Sequence, residues 1–206
     1  MIKNIIFDIG NVILNFRTIN VIKEFTSDKE KQNFIYNNII NSPEWLKNSL
    51  IDTGYLTKEE AIEIVKDRTN HIDDELIEKF WNNYNDYSEV NNNVLDLIKK
   101  LKDNYRIYLL SNINPYTHEK VKKSNLFELV DGYILSYEVH KIKPYEGIYY
   151  ELKNNYNLEF EECLFIDDNV NNIQTATKLG IKPGKVNPDD YDSIVEILKK
   201  YNIKGI

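Results

Sequence analysis

The chain has 206 residues, of which 42% are hydrophobic and 29% charged, with a formal net charge of −7. The length suits one domain, or one domain carrying an insertion, with a sizeable core; the acidic balance argues against nucleic acid or anionic lipid as partners. A single cysteine, Cys163, excludes an internal disulfide and fits a reducing compartment, no apolar run approaches the roughly 18 residues of a membrane span, and the short N-terminal apolar run holds Asp8, unlike a secretory signal, so a cytoplasmic protein is expected.

The first predicted strand, residues 4–7, ends abruptly at Asp8, followed by a Gly10-Asn11 pair. Residues 17–88 then read as helices only. Ser27 to Glu30 and Thr57 to Glu60 both match the capping-box pattern, and Ser42-Pro43 looks like an N-cap with proline at the first helical position. Seventy-odd helical residues between two strands far exceed an ordinary connection, so this block is expected to be an inserted subdomain, with Trp45, Tyr55, Phe80 and Trp81 in its core. Further strands are expected at 105–110, 133–135 and 163–166, with a weak fifth near Lys185-Val186, and helices at 94–102, 116–123, 145–156, 170–179 and 191–201. The helix ending at Leu179 has Gly180 as its stop. Continuous apolar strands alternating with helices predict an α/β fold: a Rossmann-like parallel sheet flanked by helices, with a core from residues 1–16 and 89–206 and a helical cap from 17–88. The asparagine clusters, Asn91 to Asn93 and Asn171-Asn172, read as compositional bias.

Three strands end in polar residues: Asp8, Ser111-Asn112 and Asp167-Asp168. Ligands of open parallel sheets bind beyond the carboxyl ends of the strands, so these residues are expected to meet at one edge. A lone strand-terminal Asp is ordinarily a turn former; three such ends in one chain point to a site. Carboxylates clustered without histidine or cysteine suit a hard cation such as Mg²⁺. Lys143, in His140-Lys141-Ile142-Lys143-Pro144, could supply a countercharge, although its local sequence alone favours a solvated loop lysine.

With these motifs in order, the chain resembles the haloacid dehalogenase (HAD) superfamily, in the type with a helical cap after the first strand. FDIGNV resembles the first motif, LLSNIN the second, KIKP the lysine motif and FIDDNVNNIQTATKLGI the acidic fourth, across residues 5–181. The resemblance implies a phosphoric monoester hydrolase acting on a small phosphorylated metabolite. Asp8 would be the nucleophile that forms an aspartyl-phosphate. Ser111 and the Asn112 backbone would bind the phosphoryl oxygens, and Lys143 would neutralise charge. Asp8, Asp168, the Gly10 carbonyl and, directly or through a neighbour, Asp167 would hold Mg²⁺.

Most phosphatases of this superfamily carry a second Asp two residues after the nucleophile, to protonate the leaving oxygen; here that position is Gly10. Three accounts stand: a dehalogenase, a phosphatase for good leaving groups, or an inactive binding or regulatory protein. The Asp167-Asp168 pair argues against the first, since metal-free dehalogenases of the superfamily replace it with small polar residues. Asp-x-Gly-Asn-Val with a short helical cap resembles a subgroup of bacterial sugar phosphatases that includes enzymes for α-glucose 1-phosphate. A sugar phosphate is therefore the expected substrate, and a monomer or small homo-oligomer the expected assembly.

Overall fold

The computed structural model describes residues 1–42, 44 and 50–206. Its centre is a five-stranded parallel sheet of β1 (Asn4–Phe7), β4 (Arg106–Ser111), β5 (Gly132–Leu135), β6 (Cys163–Asp167) and β7 (Lys182–Lys185), in the order β5-β4-β1-β6-β7. Because β1 is central, the chain builds one side of the sheet through β4 and β5. It then returns to the other through β6 and β7. The crevice where the order reverses lies at the carboxyl end of β1, the usual ligand position in such sheets.

Side-chain alternation explains the apolar runs. Ile5, Phe7, Ile107, Leu109, Leu164 and Ile166 point to one face, and Ile6, Tyr108, Leu110, Cys163 and Phe165 to the other. Each face is covered. Helices α5 (Asn92–Leu101) and α11 (Tyr191–Lys200) bring Val94, Ile98, Leu101, Ile194 and Leu198 to the first. Helices α9 (Glu146–Tyr156) and α10 (Val170–Lys178) bring Ile148, Tyr149, Leu152, Ile173 and Ala176 to the second. A strand buried on both sides has no polar face, so its period-2 signal vanishes.

The expected strands and long helices are present with ends shifted by a residue or two, except that β7 covers Lys182–Lys185 and not Lys185-Val186. Pro183 and Gly184 disguise it as a turn; at the sheet's edge a proline is tolerated. Gly180 ends α10 at φ +95°, with Ile181 N–H donating to the Ala176 carbonyl and Gly180 N–H to that of Thr177, both at 3.0 Å. This is the glycine-terminated helix end expected.

Between β1 and β4 the chain builds the helical insert. It holds α1 (Thr18–Phe25), α2 (Lys29–Ile35) running into a π-helical turn (Tyr36–Ile40), α3 (Lys58–Arg68) and α4 (Asp74–Asn83), with a core that includes Ile35, Ile39, Val65, Ile77, Phe80 and Trp81. Thr57 and Glu60 close the predicted capping box on α3. The α2 cap is Asp28, whose carboxylate accepts from the Glu30 and Lys31 N–H groups, and not Ser27; the carboxylate one residue later reaches the same orphan donors. Tyr55 is not core: it is 64% exposed and stacks on His140 at 5.4 Å. Pro43 and Trp45 lie outside the described residues, and so the predicted Ser42-Pro43 helix start does too. The two linkers into the insert pair as a short antiparallel ribbon, β2 (Leu14–Asn15) with β3 (Glu89–Val90), too brief to leave a periodic signal.

Candidate active site

The sheet register brings the strand ends together. Phe7 is level with Leu109 on β4 and Ile166 on β6, and the Asp8 N–H donates to the Ile166 carbonyl at 2.9 Å. Continuing each strand sets Asp8 beside Asp167, with Ser111 at the end of β4. One carboxylate oxygen from each of Asp8, Asp167 and Asp168 lies within 4.8 Å of the other two. Lys143 is not a solvated loop residue. It is 2% exposed, and its Nζ lies 2.9 Å from Asp8 Oδ1 and 2.7 Å from Asp167 Oδ2.

Lys143 is held from two sides. The Asn112 side chain grips its backbone, accepting from the Lys143 N–H at 2.8 Å and donating to its carbonyl at 2.9 Å. Asp167 in turn accepts from Asn172 Nδ2 on both oxygens, at 3.1 and 3.0 Å, and from the Asn169 N–H at 2.7 Å. With Lys143 this uses the acceptor capacity of both oxygens. Asp168 differs: it is half-buried, and among the described residues its hydrogen-bond donor is Asn11 Nδ2, at 3.1 Å from Oδ2.

Burial, reinforced by Asp167 and Asp168, raises the Asp8 pKa against the pull of Lys143. Burial and Asp167 likewise raise that of Asp168. Burial opposes the Lys143 ammonium, but Asp167 and Asp8 more than offset it, and its pKa is raised. Three clustered carboxylates share one ammonium, which contacts Asp8 and Asp167, so two negative charges are left unbalanced. That is the charge and the oxygen donor set a hard divalent cation fits.

Next to this cluster lies a cavity of about 220 Å³, lined by Gly10, Asn11, Ser111, Asn112 and Asn114 from the sheet edge and by Asp52 and Tyr84 from the insert. Ser111 is 1% exposed and its Oγ has no hydrogen-bond partner among the described residues. A buried hydroxyl without a partner is costly, and here it marks where a polar ligand is wanted. Every residue singled out in the sequence therefore gathers at one edge. Those missed are Asp52, Asn114 and Ser136, which carry no local signal, and Asn11 and Asn172. The two asparagines were hidden by the abundance of their type, and Asn172 is no compositional accident: it is 6% exposed and holds Asp167.

The family model for haloacid dehalogenase-like hydrolases matches residues 2–180. The chain belongs to this family. A D-ribitol-5-phosphate phosphatase from Bacteroides thetaiotaomicron is 26% identical to this HAD-like hydrolase over 200 residues, spanning 88% of the chain and 90% of the relative. Among solved structures, a HAD family enzyme from Bacteroides thetaiotaomicron in its magnesium complex has a TM-score of 0.75 at 24% identity, over 95% of this chain and 98% of the other. The same enzyme with magnesium and inorganic phosphate has a TM-score of 0.70 at 24% identity, over 92% and 96%. At that identity the structures attest the shared fold. Among the described residues, no helix is long and apolar enough to cross a membrane.

Proposed function

We propose that this HAD-like hydrolase is a Mg²⁺-dependent phosphatase of a small phosphorylated sugar or sugar alcohol, working through an aspartyl-phosphate on Asp8. The observation that carries the reading is the buried Lys143 bridging Asp8 and Asp167 beside the unpartnered Ser111 hydroxyl. An ammonium, a free hydroxyl and a carboxylate converging on one cavity suit a phosphoryl group, whose transfer depends on positioning and charge stabilisation. The names of the relatives support the substrate class and the metal.

In this reading Asp8 attacks phosphorus, and the covalent intermediate divides one hard step into two. Ser111 Oγ and the Asn112 N–H donate to the phosphoryl oxygens. Lys143 pulls Asp8 toward its ionised form and offsets the negative charge of the incoming group. Asp8, Asp168 and the Gly10 carbonyl would hold Mg²⁺. Asp167, its oxygens already engaged, acts by fixing Lys143. The cation, when bound, supplies charge neutralisation of the phosphoryl oxygens. The division of labour follows the proposed boundary: residues 1–16 and 89–206 carry the nucleophile, the lysine and the metal-holding groups, and the helical cap of residues 17–88 closes over them. D-ribitol 5-phosphate, named for the relative, is a primary alkyl phosphate and not the anomeric ester of the sequence-based subgroup; both belong to the proposed class.

The test is a screen of phosphorylated sugars and sugar alcohols with Mg²⁺ and with chelator, alongside Asp8→Asn. Activity should require Mg²⁺, and Asp8→Asn should lower turnover by orders of magnitude while leaving the fold intact. Full activity in chelator, or normal turnover by Asp8→Asn, overturns the reading.

A further inference from the structure

A phosphatase with glycine at position 10 has no carboxylate two residues after its nucleophile, yet an alkoxide leaving group needs a proton. The cavity beside Ser111 and Gly10 has one carboxylate among its described lining residues, and it belongs to the insert: Asp52. It lies on the turn leading into α3 and crosses the crevice to the sheet edge.

That turn is pinned to the core at several points. Ser136, fully buried at the end of β5, accepts from the Ile113 N–H at 2.9 Å and donates to the Asp52 carbonyl. His140 Nδ1 donates to the Thr53 carbonyl at 2.7 Å, and the His140 ring stacks on Tyr55. Gly54, at φ +71°, passes so close to Tyr137 that a Cβ would sit 2.8 Å from its carbonyl oxygen.

The carboxylate itself is oriented by Asn114. Asn114 Oδ1 accepts from the Thr117 N–H at 3.0 Å, which fixes which way the amide faces. Its Nδ2 therefore points at Asp52 and donates to Oδ1 at 3.2 Å. An Oδ1 that accepts a hydrogen bond leaves Oδ2 as the atom that carries a proton. Among the described residues no cation pairs with Asp52. The other titratable lining group, Tyr84, is engaged with Asn114 and Thr117.

Resting on the phosphatase reading above, we propose that Asp52 is the acid–base residue of this enzyme, supplied by the insert in place of a side chain at Gly10. In the first step a bond forms between Asp8 and phosphorus as the ester P–O bond breaks. The electron pair stays on the leaving oxygen, which takes the proton from Asp52 Oδ2 and departs as the alcohol. In the second step water attacks phosphorus and gives its proton to the Asp52 carboxylate. The bond to Asp8 breaks, and inorganic phosphate and both starting carboxyl states are restored. Burial pushes the Asp52 carboxyl up to about 6, against the pull of the Asn114 hydrogen bond, which keeps a protonated fraction near neutral pH.

The test is leaving-group dependence. Single-turnover release of phenols is measured across substituted phenyl phosphates, with Mg²⁺, for the wild type, Asp52→Asn and Asp52→Ala. Asp52→Asn keeps an acceptor for Asn114, and Asp52→Ala removes the group outright. Loss of a general acid should leave nitrophenyl esters within about threefold of wild type and slow the parent phenyl ester by about 10²-fold or more, the ordinary contribution of such a group. Both variants should show the same steepened dependence on leaving-group acidity. Equal losses across the series, or none, overturn the assignment of Asp52 and leave the phosphatase reading standing. A wild type that releases no phenol from any of these esters with Mg²⁺ overturns both.

Discussion

Replacing Asp52 with Asn should stabilise the protein at neutral and alkaline pH. The folded carboxyl sits at about 6 against an ordinary 3.8, because burial disfavours the ion. A carboxyl raised above its unfolded value contributes stability that is fully present below the unfolded pKa and lost as pH rises through the folded one. At about 1.4 kcal/mol per pKa unit, a rise of about two units amounts to about 3 kcal/mol against the ionised form once both states are deprotonated. Asp52 is half-buried and faces a cavity, so solvent screening reduces this to about 1–2 kcal/mol. The amide stays neutral throughout and can still accept from Asn114. Urea unfolding of both proteins at pH 4, 6 and 8 should therefore give nearly equal stabilities at pH 4, a gap opening between pH 4 and 6, and a variant more stable by about 1–2 kcal/mol at pH 8. A variant no more stable than wild type at pH 8, or a gap that does not change with pH, refutes the reasoning. A residue that lowers stability where it sits and raises activity is the signature expected of a functional group.

Gly10→Asp should fold normally, since Gly10 is not in the left-handed region and a Cβ there meets no atom within 4 Å. In the Asp52→Asn background it should restore turnover of the parent phenyl phosphate, measured as phenol release; a folded double variant no faster than Asp52→Asn would show that position 10 cannot reach the leaving oxygen. Gly54→Ala should cost about 1–3 kcal/mol in urea unfolding, from the left-handed conformation and the approach to the Tyr137 carbonyl. Because Asp52 lies two residues away, its phenyl phosphate turnover should fall as well; unchanged stability would mean that the turn is not held as described.

Local chemistry was enough to read much of this protein. Apolar runs such as Ile5-Ile6-Phe7 and Leu164-Phe165-Ile166 marked doubly covered strands, because both faces of each are buried. Asp8, Ser111 and Asp167 closing three such runs marked the working edge, because parallel strands end on the same side. Glycine after Leu179 and the Thr57-Glu60 pair marked helix ends through backbone groups that need nearby partners. Only the tertiary structure decided the rest. Lys143 reads locally as a solvated lysine because nothing within several residues tells it apart; its burial depends on Asp8 and Asp167, 135 and 24 residues away in the chain. Asn172 and Asn114 sit among many asparagines, and what sets them apart is the carboxylate each one meets. Asp52 lies in an unremarkable turn of the insert, and only docking of that turn against Ser136 and His140 brings a carboxylate to the cavity where Gly10 leaves room for one. Periodicity and capping are short-range and survive in the sequence. Ion pairs and cavity walls join residues far apart along the chain, and those partners are chosen only when the chain packs.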